Sequence, residues 1–190
     1  MIKFTYKKEI EDMVLNEYIL PNKNKLVSDM ISKELESVKI DISNTIIKEQ
    51  IECIKNHWLS VKDKFLKELG DFYEKKLPEP ELICYLTRLD IFPYSYGKEE
   101  GENWFSAPLF TNPAERNRVI MHELVHYYQP TELPKEIKEA IPEILNDHEK
   151  FCMYSFERGH KEEKEQEWRK TIWELYQKGG KYSDLIKLVK

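Results

Sequence analysis

The sequence predicts an α+β fold, in which a few strands are combined with several helices. Three observations lead to this prediction. Short apolar segments typical of strands occur at the start of the chain and near its middle. Longer stretches repeat apolar residues at the helical spacing of 3.6. A length of 190 residues, of which 41% are hydrophobic, is enough for one core domain with a helical extension.

The N-terminal region, residues 1–77, is predicted to be mostly helical after a short opening strand. Ile2 and Phe4 alternate with polar residues, which indicates the strand. Apolar residues at helical spacing then predict one helix over 26–38 and a longer one over 46–69. The break between these two helices offers Ser43 or Asn44 as the N-cap of the second.

A proline-rich segment at 77–80 separates this region from the predicted core domain, residues 78–190. A strand is predicted over 81–86, and a second extended segment over 103–110. Because proline cannot donate to a β-ladder, Pro108 places this second segment at a sheet edge or an irregularity. Helices are predicted over 112–128 and 161–177, and from 135 onwards with a kink or a new start at proline. A short tail is expected after the last of them.

The central motif is HExxH, within residues 119–128 (VIMHELVHYY). His122 and His126 are four residues apart, so on a helix both imidazoles leave from one face and can bind a single ion. Glu123 is placed to accept a proton from a metal-activated water. A catalytic zinc needs a third protein ligand and keeps one position open. The chain offers several candidates downstream: Glu132, Glu136, Glu139, Glu143, Asp147 and His148.

The segment 138–145 (KEAIPEIL) resembles the glutamate helix of the thermolysin-like zinc peptidases, the gluzincins. In that family the first carboxylate binds zinc and an acid four residues later orients a ligating histidine. The segment 133–140 is also similar to the LPxWxxEGxAxY pattern of peptidase MA-like gluzincins, except that Glu136 replaces the tryptophan and Ala140 the glycine. The resemblance covers roughly residues 81–157.

The resemblance implies a zincin-like core, in which a small mixed sheet carries the HExxH helix and the glutamate helix. It implies Zn²⁺ as cofactor, with Glu139 as the third ligand and Glu143 hydrogen-bonded to His122. The gap between His126 and Glu139 is shorter than the family usually shows. Glu143 therefore remains an alternative ligand, with Asp147 then in the supporting role.

A zinc ion held at about 2.0–2.2 Å would lower the pKa of a bound water to roughly 7. Glu123 would take that proton during attack on a peptide carbonyl and pass it to the leaving amine. The backbone of Asn103, Trp104, Phe105 and Ser106 would bind an extended peptide substrate by β-augmentation. The alternative is that Trp104 and Phe105 only pack into the core. The residues that could stabilise the oxyanion are Tyr127, Tyr128, Tyr154, Arg158 and His160.

Composition excludes several other classes. A net charge of −5 without a basic block argues against a nucleic-acid partner. Cys53, Cys84 and Cys152 are too few and too scattered for a disulfide framework or a thiolate metal site. No apolar stretch is long enough for a membrane span, and we expect a soluble cytoplasmic protein.

The sequence thus favours a soluble zinc metallopeptidase that acts on a peptide or protein substrate. One alternative is a zincin-like module that binds a partner protein with little or no turnover. The other is a chance HExxH in a helical protein without metal. His57 is interpreted as a structural or surface histidine, since no second ligand lies at a suitable spacing.

Overall fold

The structure is a computed structural model, and it describes residues 1–22, 42–96, 102–130 and 132–189. Within these residues the chain forms a four-stranded sheet and seven α-helices, which confirms the predicted α+β class. The predicted helix over 26–38 lies outside the described residues. None of the described helices is both long enough and apolar enough to cross a lipid bilayer.

The sheet is mixed, with the strand order β1-β2-β4-β3. Strands β1 (Ile2–Thr5), β2 (Leu82–Thr87) and β4 (Trp104–Pro108) run parallel, and the two-residue β3 (Tyr94–Ser95) pairs antiparallel with β4. The opening strand predicted from alternation is therefore confirmed, and so is the strand in the middle of the chain. Strand β2 lies between two parallel strands and is buried almost continuously, as is typical of parallel sheets with both faces covered.

The predicted edge position of the second segment is wrong, because β4 is an inner strand. It pairs with β2 on one side, and Trp104 and Phe105 pair with β3 on the other. The backbone N–H of Ser106 donates to the carbonyl of Pro93 at 3.0 Å, and the carbonyl of Asn103 accepts from Ile83. Phe105 is fully buried. The backbone groups expected to bind a peptide are thus used within the sheet, and Phe105 packs into the core as in the alternative interpretation.

The seven helices begin and end as follows: α1 Lys8–Val14, α2 Asn44–Tyr73, α3 Pro113–Tyr128, α4 Lys135–Ala140, α5 His148–Phe151, α6 Glu163–Gln177 and α7 Tyr182–Val189. Ser43, rather than Asn44, caps α2, since its Oγ accepts from the N–H of Ile46 at 3.4 Å. Asn112 caps α3 through a 2.9 Å hydrogen bond from the N–H of Glu115. Helix α7 forms where the sequence indicated only a tail.

Pro142 divides the segment that the sequence predicted as a glutamate helix. Helix α4 ends at Ala140, and the chain continues as a 3₁₀ helix over Ile141–Asn146 with the proline in its first turn. Proline lacks the N–H of an α-helical hydrogen bond, so a change of helix type at this point is expected. The change alters the direction in which Glu143 leaves the chain relative to Glu139.

The chain divides into two compact units that interleave along the sequence. Unit 1 comprises residues 1–57 and 80–119, and unit 2 comprises residues 58–79 and 120–190. These units do not coincide with the predicted division between residues 77 and 78. Unit 1 contains the sheet. Within this unit the side chain of His57 contacts that of Asn117, which agrees with a structural role for this histidine.

The core of unit 2 is rich in aromatic side chains. Phe65 and Phe151 meet edge to face with ring centroids 6.0 Å apart, and Phe72 meets Tyr176 in the same way at 6.1 Å. Both phenylalanines of α2 are almost completely buried. Burial of such large apolar groups contributes about 1.5–3 kcal/mol each, so this core supplies a rigid base for the helices that carry the polar residues described next.

Candidate metal centre

Three side chains of unit 2 direct ligand atoms at one point. The Nε2 atoms of His122 and His126 are 2.9 Å apart, and the Nε2 atom of His126 lies 3.5 Å from Oε2 of Glu139. One ligand atom from each residue lies within 4.8 Å of the other two, which makes this the group among the described residues that could hold a metal ion. The histidines come from α3 and the carboxylate from α4, and the four-residue spacing of HExxH places both imidazoles on one face of α3, as predicted.

Two of the ligand separations can be compared with those expected around a tetrahedral zinc ion. Ligand bonds of 2.0–2.2 Å at tetrahedral angles place the ligand atoms about 3.3–3.6 Å apart. The separation between His126 and Glu139 falls in this range, and the one between the two imidazole nitrogens is slightly shorter. Two nitrogen atoms that face each other this closely must share a proton or bind a cation. Two imidazoles and one carboxylate are a donor set of catalytic zinc sites.

His122 is backed by a carboxylate that the sequence analysis did not identify. Its Nδ1 atom lies 3.1 Å from Oε2 of Glu157, which is buried. The ring N–H does not point straight at the oxygen, so the contact is electrostatic more than a well-aligned hydrogen bond. A carboxylate beside Nδ1 favours the proton on that nitrogen and leaves Nε2 for a metal.

His126 is backed by a neutral amide instead. Its Nδ1 atom is 3.1 Å from Oε1 of Gln129, and the Nε2 atom of this glutamine donates to the carbonyl of Lys138 at 2.9 Å. Since the amide nitrogen is committed to a carbonyl, its oxygen is the acceptor for the ring N–H of His126. Gln129 therefore orients His126 and also connects the end of α3 to the residue before Glu139.

The prediction that Glu143 supports His122 is wrong. Its Oε2 atom contacts the guanidinium of Arg169 at 2.5 Å, and its Oε1 accepts from the side chain of Asn146 at 2.8 Å. The reason is the 3₁₀ geometry after Ala140. Residues four apart lie about 40° apart around an α-helix, but 3₁₀ turns rotate the later residue much further. Glu143 consequently lies away from the face that presents Glu139.

Asp147, which would have supported Glu143 in the alternative ligand set, has another role. Its side chain caps α5 by accepting from the N–H of Lys150 at 3.2 Å, and the hydroxyl of Tyr176 donates to it at 3.4 Å. His148 packs against the ring of Phe156 with centroids 4.9 Å apart. The structure thus brings Glu139, and not Glu143 or His148, together with the two histidines.

The loop between α5 and α6 carries Glu157. Its backbone is tied to Asn146, which accepts from the N–H of Glu157 at 2.8 Å and donates to its carbonyl at 2.9 Å. Gly159 follows with a φ of +60°, and a Cβ there would overlap Glu165 and Arg169. Glycine is required at this point because the chain passes directly over these two buried side chains.

His160 lies next to the cluster. Its Nδ1 atom is 3.0 Å from Oε2 of Glu165 and 3.9 Å from Oε2 of Glu139, and its side chain is 61% exposed. The buried Glu165 also accepts from the backbone N–H of His160 at 2.7 Å. Two contacts to one buried carboxylate hold the imidazole at the rim of the cluster, with its second nitrogen not engaged by Glu165.

The electrostatics of the cluster distinguish the two histidines. Burial lowers the pKa of His122, and the charge of Glu157 opposes this shift without cancelling it. Burial acts in the same direction on His126, but the contact with Glu139 and the charge of Glu123 outweigh it, so the pKa of His126 is raised. Burial would raise the pKa of Glu139, but His126 outweighs burial and lowers it. Without metal, His126 and Glu139 therefore behave as an ion pair.

Glu123 is buried, with 6% of its surface exposed, and its charge acts on His126. It follows His122 on α3, as the motif requires. Among the candidates for stabilising an oxyanion, Tyr128 is engaged elsewhere, since its hydroxyl donates to the carbonyl of Pro78 at 2.5 Å. Tyr154 is 80% exposed. His160 is the candidate whose ring lies near the cluster, with Nδ1 3.9 Å from Oε2 of Glu139.

Sequence reasoning missed Glu157, Arg169, Glu165 and Gln129. The last three had a usable signal. Glu165 and Arg169 occupy the same face of α6 as the buried Ile172, so they are charged residues in an apolar stripe. Gln129 follows His126 by three residues and so lies on the same side of the helix end. Glu157 lies in a loop without periodicity, where no pattern identifies it.

Comparison with protein-family models, with curated proteins and with solved structures finds no match for this chain. The cluster itself is therefore the basis for assigning a function.

Proposed function

We propose that this protein is a zinc-dependent metallopeptidase of gluzincin type with a zincin-like core. The observation that carries the proposal is the convergence of His122, His126 and Glu139, taken together with the buried Glu123 that follows the first histidine. Two imidazoles and a carboxylate provide three protein ligands and leave a fourth position open, which is the arrangement of catalytic rather than structural zinc.

The surroundings of the cluster support a metal centre over a simple ion pair. Each imidazole has its own partner at Nδ1, Glu157 for His122 and Gln129 for His126. Such partners fix the tautomer that leaves Nε2 free of hydrogen, as metal binding requires.

Zinc bound here would supply Lewis-acid polarisation of a peptide carbonyl and activation of a water molecule. Glu123 is the residue that would accept the proton of the attacking water and deliver it to the leaving amine. Burial keeps its carboxylate away from competing solvent, which strengthens its interaction with positive charge. His122, His126 and Glu139 would hold the ion, and Glu157 and Gln129 would keep the two imidazoles in position.

His160 is best suited to stabilise the negative charge that develops on the carbonyl oxygen. The Nδ1 atom donates to Glu165 at 3.0 Å, which orients the ring, and donation to the oxyanion from Nε2 requires the imidazolium form, in which both ring nitrogens carry a proton. The side chain is exposed and lies 3.9 Å from a ligand oxygen of Glu139, so a substrate at the cluster comes within its reach.

The test is hydrolysis of a quenched fluorescent peptide library by protein reconstituted with one equivalent of Zn²⁺. Glu123→Gln should retain zinc and lose hydrolysis by about 10²–10⁴-fold, because the glutamine cannot accept the proton. Glu136→Gln on α4 is the matched control and should leave both properties unchanged. Loss of zinc by Glu123→Gln would contradict its role as a base. A wild-type protein that binds zinc but cleaves no peptide would favour the partner-binding module instead.

A further inference from the structure

One arginine contacts three acidic residues near the cluster that are neither ligands nor the base. Arg169 on α6 is 3% exposed, and its Nη2 atom contacts Oε2 of Glu143 at 2.5 Å. The same nitrogen donates to the backbone carbonyl of Glu157 at 2.6 Å. Its Nη1 atom lies 3.8 Å from Oε1 of Glu157 and 4.0 Å from Oε1 of Glu165.

Arg169 also reaches the main chain of a candidate ligand. Its Nη1 atom donates to the carbonyl of Glu139 at 3.4 Å. The guanidinium is planar and presents donors in fixed directions, so contacts to several partners constrain their relative positions. Through these contacts the arginine connects both sides of the cluster: Glu139, which faces His126, and Glu157, which faces His122.

We propose that Arg169 is a positioning residue of the metal centre, which sets zinc affinity by holding Glu157 against His122 and the backbone of Glu139 in place. This inference rests on the proposed function. It goes beyond it because Arg169 touches neither the ion's ligand atoms nor the substrate. A role in setting zinc affinity also distinguishes Arg169 from a buried arginine that only stabilises the fold.

The charge balance gives the reason for such a residue. Glu143, Glu157 and Glu165 are all buried or half-buried, and a buried carboxylate without a cation is costly. Without the guanidinium, we expect these side chains to turn towards solvent. This movement would take the Glu157 carboxylate away from Nδ1 of His122, and with it the support for a metal-binding tautomer.

The experiment is a competitive zinc titration against a chromophoric chelator, on variants whose folding is checked by circular dichroism and melting temperature. Arg169→Gln should lower zinc affinity by about 10–100-fold, the usual effect of losing support for a ligand. Arg169→Lys should lose less, because it keeps the charge but cannot bridge the same partners, and it serves if the glutamine variant does not fold.

A double-mutant cycle with Glu157 separates positioning from general stability. If Arg169 acts through Glu157, the loss caused by Arg169→Gln should shrink to about threefold or less when Glu157 is already glutamine. The matched control is Arg88→Gln, which breaks the buried pair with Glu11 in unit 1. It should lower the melting temperature and leave zinc affinity unchanged.

The outcomes distinguish the two proposals. If the wild-type protein binds zinc and Arg169→Gln or Arg169→Lys lowers only the melting temperature, the positioning role is overturned and the metal site stands. Full additivity of the two substitutions would likewise overturn action through Glu157. If the wild-type protein binds no zinc, both proposals fail together.

Discussion

Both compact units bury charged side chains, but they arrange them differently. In unit 1, Glu11 is fully buried and its two oxygens accept from Nε and Nη2 of Arg88 at 2.5–3.0 Å. The same carboxylate accepts from the backbone N–H of Arg88 at 2.7 Å and from the hydroxyl of Tyr6 at 3.1 Å. One carboxylate thus meets one guanidinium in a complete pair.

In unit 2 a single guanidinium is shared among several carboxylates, and two imidazole nitrogens face each other. Arg169 contacts Glu143, Glu157 and Glu165, whereas Glu139 faces a histidine. Negative charge therefore exceeds positive charge around the described cluster. Buried charge alone therefore does not identify a functional site. A matched pair indicates a structural role, and an arrangement that a cation would complete indicates a binding role.

The largest effect that tests this comparison is expected in unit 1. Glu11→Ala leaves Arg88 buried without its counterion, so it should lower the free energy of unfolding by about 3–5 kcal/mol. Chemical denaturation measures this change. Glu9→Ala, at an exposed position on the same helix, is the control and should stay within about 0.5 kcal/mol. Zinc affinity of the folded Glu11→Ala protein should be unchanged, and a large loss would remove the contrast between the units.

In unit 2 the largest expected effect is on zinc affinity. Glu139→Ala removes a ligand and should lower the affinity by more than about 100-fold, beyond the range typical of supporting residues. Glu143→Ala should lower it less, because this carboxylate contacts Arg169 and not a histidine. A competitive zinc titration ranks the two. The reverse order would make Glu143 the ligand, and negligible effects of both would contradict the gluzincin assignment.

The site was predictable from the sequence where its geometry is local. His122, Glu123 and His126 lie within one and a half turns of α3, so their relative placement follows from helical spacing alone. Glu139 was identified by resemblance, and the structure brings it to the histidines. Glu143 was misplaced because the resemblance assumed a continuous α-helix, whereas Pro142 changes the helix type.

The remaining parts depend on packing between distant segments. Glu157 reaches His122 because Asn146 and Gly159 shape its loop, and no local pattern records that arrangement. The fold class and most helices and strands were predictable from local patterns. The strand order was not, because it depends on pairing between segments that are distant in the sequence. Pro108 is the last residue of β4, and the next N–H, that of Leu109, donates to the carbonyl of Thr87, so this proline fits an inner strand although proline is typical of edges.

The third prediction compares two carboxylates that both contact Arg169. Glu157→Gln should lower zinc affinity by about tenfold, at the lower end of the range for outer partners, because the amide oxygen still accepts but the charge is lost. Glu143→Gln should have a smaller effect, since it does not face His122. The same zinc titration measures both, and equal losses would mean that Arg169 transmits all of the effect.

The fourth prediction concerns pH. Without metal, the pKa of His126 is raised above its ordinary value of about 6.5. A proton therefore begins to compete with zinc for Nε2 at a higher pH than it would for an ordinary histidine. His122, whose pKa is lowered, is already neutral there. Zinc affinity should therefore fall by about tenfold per pH unit as the pH drops below the pKa of His126. Titrations from pH 8 to 5.5 measure the slope. A flat profile would exclude His126 as a ligand, and a slope of two protons throughout would mean that both histidines titrate together.

The smallest expected effect distinguishes the two histidines of the motif. Gln129 supports His126 with a neutral amide, whereas His122 has a carboxylate. A neutral hydrogen bond contributes about 0.5–1.5 kcal/mol, so Gln129→Ala should lower zinc affinity by about two- to tenfold. Gln129 also supports a second ligand of the cluster. The amide nitrogen also donates to the carbonyl of Lys138, next to Glu139, so its loss loosens two of the three ligands at once.

Two variants test this explanation of the Gln129 contact. Gln129→Glu places a carboxylate beside Nδ1 of His126, as Glu157 does for His122, but cannot donate to Lys138, so it should lower zinc affinity less than Gln129→Ala does. If affinity is instead lost as in Gln129→Ala, the contact with Lys138 is what matters, and Gln129 acts mainly by holding α4 and Glu139 against α3. If both variants bind zinc like the wild type, His126 needs no partner, and the pairing of each imidazole with its own acceptor has no part in forming the metal centre.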